Sequence, residues 1–175
     1  MAALLAVYKG NQRRTDMSIL SSSTNQKALA LGAIAGIRAM TAPALLSNHF
    51  HHSPTIFLEG TKLGYLQKSG VATGTKLLAV LEMLGDKIPN VPDRIKPIEL
   101  LPRVVSGGLV GATLAEANGE SRITGGLLGV VGALASSYVF FFLRTRLVKI
   151  TGLPDATFAL MEDALALKAG SAILK

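Results

Sequence analysis

Five long apolar runs, separated by short polar loops, constrain this chain more than any other feature of its sequence. The runs cover residues 27–47, 71–88, 101–117, 122–143 and 155–174. Each approaches the roughly 17 to 25 apolar residues that a helix needs to cross a bilayer. Only 17% of the residues are charged, whereas an average soluble domain carries about 25%. We therefore expect an all-α fold, a polytopic transmembrane helix bundle of about four to five Gly/Ala-rich spans.

The chain divides into a leader and one domain. In residues 1–26 a short apolar stretch precedes the basic residues, which is the wrong order for a secretory signal. We predict a disordered cytoplasmic leader there, with Met17 as an alternative start. Residues 27–175 are predicted to form a single integral membrane helical domain. A soluble bundle is the alternative, but few amphipathic stretches are present to cover the apolar runs.

The distribution of Lys and Arg predicts an orientation. The basic residues concentrate in the N-terminal tail, in segment 87–103 and after residue 143, and fewer lie in the loops between. By the positive-inside rule all three segments face the cytoplasm, so the protein is expected to be multi-pass with a cytoplasmic N-terminus. The same scatter argues against nucleic acid as a partner. Whether the last run spans or re-enters stays open, because charged residues interrupt it.

Small residues spaced four apart predict close helix packing. Gly32 and Gly36 show this spacing in the first run, and Gly125 and Gly129 show it in the fourth. In lipid, such faces let helix backbones approach one another. The contacts could lie within the bundle, against other membrane proteins or in a homo-oligomer.

Charged residues at membrane depth form the candidate functional site. Arg38 lies near the middle of the first run, where a lipid-facing guanidinium is costly, so we expect it to pair with Glu82 or Glu162 inside the bundle. The alternatives are a static ion pair and a path for an ion or solute. The candidate path residues are Arg38, Glu82, Asp86, Arg103 and Glu162.

The remaining acids receive weaker assignments. Asp86 shares a helix face with Glu82 but lies next to Lys87, so an interfacial position is favoured. Asp155 follows Pro154 and is expected to cap the last helix. Glu162 and Asp163 point in different directions on a helix, and Glu162 is favoured as the inward one.

A short internal similarity suggests an inverted repeat. The segments "LAVLEMLGDK" (78–87) and "FALMEDALALK" (158–168) share an order of apolar, Glu, Asp and Lys residues. With residues 27–88 and 122–174 as the halves, the two Gly-rich helices should run in opposite directions. Secondary transporters often place their site between such repeats.

The other motifs do not indicate a metal site, a phosphate-binding site or a catalytic site. His49, His51 and His52 cluster in "NHFHHS", and a solvated loop is favoured over a zinc site. The chain has no cysteine and no phosphate-binding or catalytic motif, so neither a metal nor another cofactor is expected.

Four motifs in order resemble a known family. They are "AGIRAMTAPA" (35–44), "LEMLGDKIPNVPDR" (81–94), "RVVSGGLVGA" (103–112) and "TGLPDATFALMEDALA" (151–166). The chain resembles the bacterial membrane proteins of Domain of Unknown Function 4126 over about residues 27–172. The resemblance implies a small helical protein of the bacterial inner membrane and supplies no catalytic or binding residues.

Three functions fit these observations. A small transporter or channel-like protein would use the buried charges to bind an ion or solute within the bilayer. A structural or assembly factor would pack its glycine-rich helices against other membrane proteins. An enzyme is the third alternative, and no dense acidic motif supports it.

Overall fold

A computed structural model describes residues 23–85 and 96–175, and these residues form helices, turns and loops without a strand. The α-helices in chain order are α1 (Ser23–Ile37), α2 (Thr41–His52), α3 (Ser69–Gly85), α4 (Pro97–Ala117), α5 (Arg122–Thr151) and α6 (Asp155–Ile173). Two 3-10 helices, Ile56–Leu58 and Lys62–Gln67, lie between α2 and α3. The predicted all-α class is confirmed for the described residues, while the predicted leader lies almost entirely outside them.

The ends of α4 and α5 follow from local sequence. Pro97 begins α4, where a missing N–H costs nothing because the first turn has no acceptor for it. Ser121 caps α5 by accepting a hydrogen bond from the Thr124 amide. Gly152 ends α5 with a φ of 67°, a left-handed conformation that favours glycine. The two helices therefore form a hairpin joined by a short turn.

Glycines bring α1, α4 and α5 into backbone contact. A Cβ on Gly129 of α5 would collide with the carbonyl of Gly107 on α4, and one on Gly32 of α1 would collide with Gly129. Gly111 and Gly125 face each other in the same way. The small residues seen in the sequence thus lie at contacts inside the chain, and these three helices form its centre.

The first apolar run is a helical hairpin and not a continuous span, which corrects the span expected over residues 27–47. The helix stops at Ile37 and restarts at Thr41. Gly170 of α6 faces both Ile34 of α1 and Leu45 of α2, so the two arms of the hairpin lie side by side.

Contacts with α4 show where the hairpin turns. Ala39, at its tip, accepts a hydrogen bond from Ser106 in the first half of α4. After α2 the chain has reached the other end of α4, where Thr55 donates to the carbonyl of Ala117 over 3.5 Å. The hairpin therefore enters and leaves the bundle at the Ala117 end.

The helix directions contradict the predicted inverted repeat. Going along α1 from Gly32 to Gly36, the neighbours on α5 advance from Gly129 to Ser136. The helices α1 and α5 therefore run parallel, whereas an inverted repeat requires opposite directions. The short similarity between the two acidic segments does not reflect a repeated fold.

The same directions revise the predicted orientation. Because α1 is antiparallel to α4, Ser23 lies toward the Ala117 end of the bundle and Lys96 lies at the other end. The N-terminal tail and segment 87–103 were expected on one face, and the described ends of these segments lie on opposite faces. The orientation in a membrane remains a prediction.

Two described helices, α4 with 21 residues and α5 with 30, are long and apolar enough to cross a membrane. Two helices that pass a test of length and composition are weak evidence for a membrane location. The other predicted spans fall short because α1 and α2 are separated by the break, α3 has 17 residues and α6 carries four charged residues.

We predict that Gly129→Ala lowers the free energy of unfolding by about 1 to 3 kcal/mol or more, because the new methyl group meets backbone that cannot move aside. Thermal unfolding of the purified protein measures the effect. Gly74→Ala on α3 is the matched control, since no atom lies within 4 Å of its Cβ position. The control should be neutral or stabilising by about 0.5 to 1 kcal/mol. Equal stability of both variants would contradict the glycine contact.

Candidate functional site

The candidate site is the tip of the α1–α2 hairpin, residues 38–40, where the backbone leaves the helical conformation. Pro43 accounts for the break, because its ring would clash with the carbonyl of Ala39 in a continuous helix and it has no N–H to donate. The tip is buried, with Arg38 0% exposed and Ala39 7% exposed. Buried N–H and C=O groups released from the helix must therefore find other partners.

Glu82 satisfies the donors at the tip. One carboxylate oxygen accepts the Ala39 N–H and the other accepts the Met40 N–H, each over 2.8 Å. These amides lie at the start of α2, where the helix dipole is positive and favours a negative charge. The carboxylate thus lies across the beginning of α2 and connects it to the last turn of α3.

Arg103 and two serines satisfy the acceptors. Arg103 Nη1 donates to the carbonyls of Gly36 and Ile37 over 3.0 and 2.8 Å, at the negative end of α1. Ser137 of α5 donates to Gly36 over 3.1 Å. Ser106 of α4 donates to Ala39, the carbonyl that Pro43 cannot use. The negative end of α1 is therefore matched by an arginine and a serine hydroxyl, and the positive start of α2 is matched by a carboxylate.

Arg38 holds the tip against α6. Its Nε donates to the carboxylate of Asp163 over 2.5 Å, and the two side chains are 0% and 11% exposed. Burying two charges is costly unless their geometry is good, and removal of one partner of a buried pair is destabilising. The pair therefore makes the position of the tip dependent on α6.

A second ionic cluster joins α5 to α6. Arg144 makes a two-pronged contact with Asp155 and a 3.4 Å contact with Glu162. Asp155 is largely exposed, but Glu162 is 7% exposed at its side chain. The two neighbouring acids Glu162 and Asp163 thus contact different arginines, Arg144 and Arg38.

Some of the predicted pairings therefore change. The described partner of Arg38 is Asp163 and not the predicted Glu82 or Glu162, because Glu82 is engaged by backbone amides and Glu162 turns toward α5. Asp155 was expected to cap α6, yet Pro154 occupies the cap position and Asp155 binds Arg144.

The predicted path residues do not all meet at one place. Arg38, Glu82 and Arg103 come together at the hairpin tip, whereas Glu162 belongs to the Arg144 cluster. Asp86 lies outside the described residues. Whether any of these residues lines a path stays a prediction.

Sequence reasoning missed the partners that complete the site. Asp163 was set aside for Glu162, and the hydroxyls of Ser106 and Ser137 carried no signal. A signal was present in Pro43, because a proline inside an apolar run leaves the carbonyl four residues earlier without its helical N–H donor.

The histidines do not form a metal site in the described part of the chain. The Nδ1 atoms of His51 and His52 lie 3.3 and 2.8 Å from backbone carbonyls of Gln67 and Asn48. No group of three or more His, Cys, Asp or Glu side chains within residues 23–85 and 96–175 could hold a metal ion.

These features define the class of protein: a small all-α bundle with glycine contacts at its centre and a charge-capped helical hairpin beside them. The chain belongs to the family described as domain of unknown function DUF4126, whose model matches residues 27–173. The resemblance found in the sequence is therefore confirmed. Comparison with curated proteins and with solved structures gave no match.

We predict that Glu82→Gln destabilises the hairpin tip by about 1 to 3 kcal/mol, because an amide offers one acceptor where the carboxylate offers two. Hydrogen exchange at the Ala39 and Met40 amides should become faster, and mass spectrometry of the peptide that contains them measures this. Glu59→Gln is the control, since Glu59 is exposed. Unchanged exchange in Glu82→Gln would contradict the capping role.

We predict that Asp163→Asn costs about 3 to 5 kcal/mol of stability, because it removes the carboxylate charge that Arg38 Nε contacts in a buried position. Asp155→Asn is the control, because its ion pair is exposed and is expected to contribute less than about 1 kcal/mol. Chemical unfolding of both variants measures the difference. Similar losses in the two variants would show that burial does not strengthen the Arg38 pair.

Proposed function

We propose that this protein is an integral membrane protein that binds a small ion or solute at the hairpin tip and moves it across the bilayer. The observation that carries the proposal is the interrupted helix. Non-helical backbone at membrane depth is tolerated where it is buried in protein or lines a cavity, and transporters use such breaks as binding sites.

The distribution of apolar and charged side chains supports the membrane location. Arg38 and Arg103 are the largest fully buried side chains, at 0% and 2% exposure. Large apolar side chains instead cover the outside of several helices, among them Leu81, Leu84, Ile98, Leu101, Val105, Ile123, Leu127, Val131, Val139, Phe142, Leu160 and Met161. A soluble protein would reverse this arrangement, whereas lipid favours it.

The chemistry of the tip supports binding there. The tip holds the guanidinium of Arg38 and the Glu82 carboxylate on two backbone amides, and Thr41 follows it as the first residue of α2. Thr41 is 1% exposed, and its hydroxyl has no hydrogen-bond partner among the described residues. A buried polar atom without a partner costs stability, which is consistent with a role in contacting a ligand.

The second candidate function is a structural or assembly role. This role is favoured by the contacts of the charged side chains at the tip. Glu82 and Arg103 bind backbone groups and Arg38 pairs with Asp163, as expected of charges that only stabilise the fold. The glycine faces that suggested this role are used inside the chain. An assembly factor would therefore have to bind its partners through another surface.

We predict that Thr41→Val separates the two functions. The change removes only the unpartnered hydroxyl, so stability should stay equal or rise. If the hydroxyl contacts the transported species, flux into proteoliposomes should fall roughly two- to tenfold, the equivalent of one hydrogen bond. Fluorescent dyes for protons, sodium, potassium and chloride provide the measurement.

Thr113→Val is the matched control for this experiment. Thr113 is also fully buried, but its hydroxyl donates to the carbonyl of Leu109 within α4. It should leave flux unchanged. Equal flux through wild-type and Thr41→Val protein, or no flux above that of empty liposomes, would favour the assembly role.

A further inference from the structure

We propose that the segment between α2 and α3, residues 54–68, binds the headgroup layer of a phospholipid bilayer. Its exposed apolar side chains lie among the upper acyl chains, and its two lysines lie at the lipid phosphates. The inference rests on the membrane location in the proposed function, but it holds whether or not the protein transports a solute.

The segment exposes large side chains that a surface in water does not favour. Ile56, Phe57 and Tyr65 are 75%, 56% and 60% exposed. A single exposed apolar residue is ordinary on any protein surface, whereas several close together in the chain mark a binding surface. Tyrosine is enriched where a membrane meets water, because its ring enters the apolar layer and its hydroxyl stays in the polar one.

The same segment is fixed to the bundle, so its exposed side chains are not those of a loose loop. Leu58 is 0% exposed and Leu66 is 6% exposed. The carbonyl of Leu66 accepts a hydrogen bond from the hydroxyl of Ser47 on α2 over 2.6 Å. The side chain of Gln67 accepts the amide of Thr55, also over 2.6 Å. Leucines therefore anchor the segment, while other apolar side chains point away from the bundle.

The end of α4 places the segment at the level of a membrane surface. This helix has 21 residues and is about 31 Å long, which matches the roughly 30 Å of hydrocarbon in a bilayer. In a bilayer that α4 crosses, its last residue, Ala117, lies at one interface. Thr55 donates to the carbonyl of Ala117, and a Cβ on Gly119 would lie 3.6 Å from the Phe57 ring. Phe57 therefore lies where the acyl chains meet the headgroups.

The charges of the segment suit lipid phosphates. Lys62 and Lys68 are exposed, and Glu59 is the single acid among residues 54–68. Lys68 Nζ lies 4.3 Å from the centre of the Tyr65 ring, so a cation and an amphipathic ring are adjacent. Near an interface, lysines extend their ammonium groups to the headgroups while their stems stay in apolar surroundings. A phospholipid surface provides an anionic layer directly above an apolar one, which is the order that these side chains require.

Depth-dependent quenching of a single tryptophan tests the position of the segment. The chain has no tryptophan, so Phe57→Trp introduces one reporter. In nanodiscs, phospholipid brominated at the top of its acyl chains should quench this tryptophan more than phospholipid brominated near the chain ends. The opposite order, or quenching by neither lipid, would refute the inference. Tyr65→Trp provides the same test if Phe57→Trp does not fold.

A second measurement tests the lysines. In mixed nanodiscs, Lys62 and Lys68 should enrich phosphatidylglycerol beside the segment by roughly two- to fivefold over phosphatidylcholine. Brominated phosphatidylglycerol should then quench Phe57→Trp more than brominated phosphatidylcholine at the same mole fraction. Lys62→Glu and Lys68→Glu together should abolish this preference. Equal quenching by the two lipids before the lysines are changed would overturn their contact with phosphates.

Val131→Trp is the matched control for depth. Val131 is 54% exposed and lies about 14 Å along α5 from Arg122, near the expected centre of the bilayer. Bromines near the chain ends should quench it more strongly than bromines at the top. If Val131→Trp behaves in this way and Phe57→Trp is quenched by neither lipid, the inference fails and the membrane location stands. If neither position is quenched, the membrane location itself fails.

Discussion

The structure depends on one interruption of the backbone, between Ile37 and Thr41. Pro43 prevents a continuous helix, and the peptide groups released by the break are buried. Because an unsatisfied buried peptide group costs about 1 to 3 kcal/mol, the surrounding helices must supply partners. Glu82 from α3, Arg103 from α4 and Ser137 from α5 do so, and this requirement fixes where those helices lie.

The glycine contacts and the charges serve the same arrangement. Only close backbone contact between α1, α4 and α5 brings a side chain as short as serine within hydrogen-bond distance of the carbonyl of Gly36. Arg103 reaches the same carbonyl from α4. A bundle with larger residues at Gly107 or Gly129 would hold these helices apart and leave the end of α1 unsatisfied. The packing at the centre thus determines the polar chemistry at the tip.

The start of α2 shows the same requirement. The Glu82 carboxylate caps this start by accepting two backbone N–H groups. The unpartnered hydroxyl of Thr41 is the feature that a purely structural cap does not explain.

Composition and spacing were enough to predict the helical class, because long apolar runs are visible in them, and four motifs in order indicated the family. The sequence also predicted Arg38, Glu82 and Arg103 as candidate site residues, because they are charges within apolar runs. The tertiary structure alone decided that α1 and α2 fold back as a hairpin, that α1 and α5 run parallel and that Asp163 is the described partner of Arg38. Periodicity reports which face of a helix is apolar but not its direction or its neighbours. The roles of Ser106, Ser137 and Thr41 were hidden for the same reason, since a hydroxyl gains meaning only from the backbone group that lies beside it.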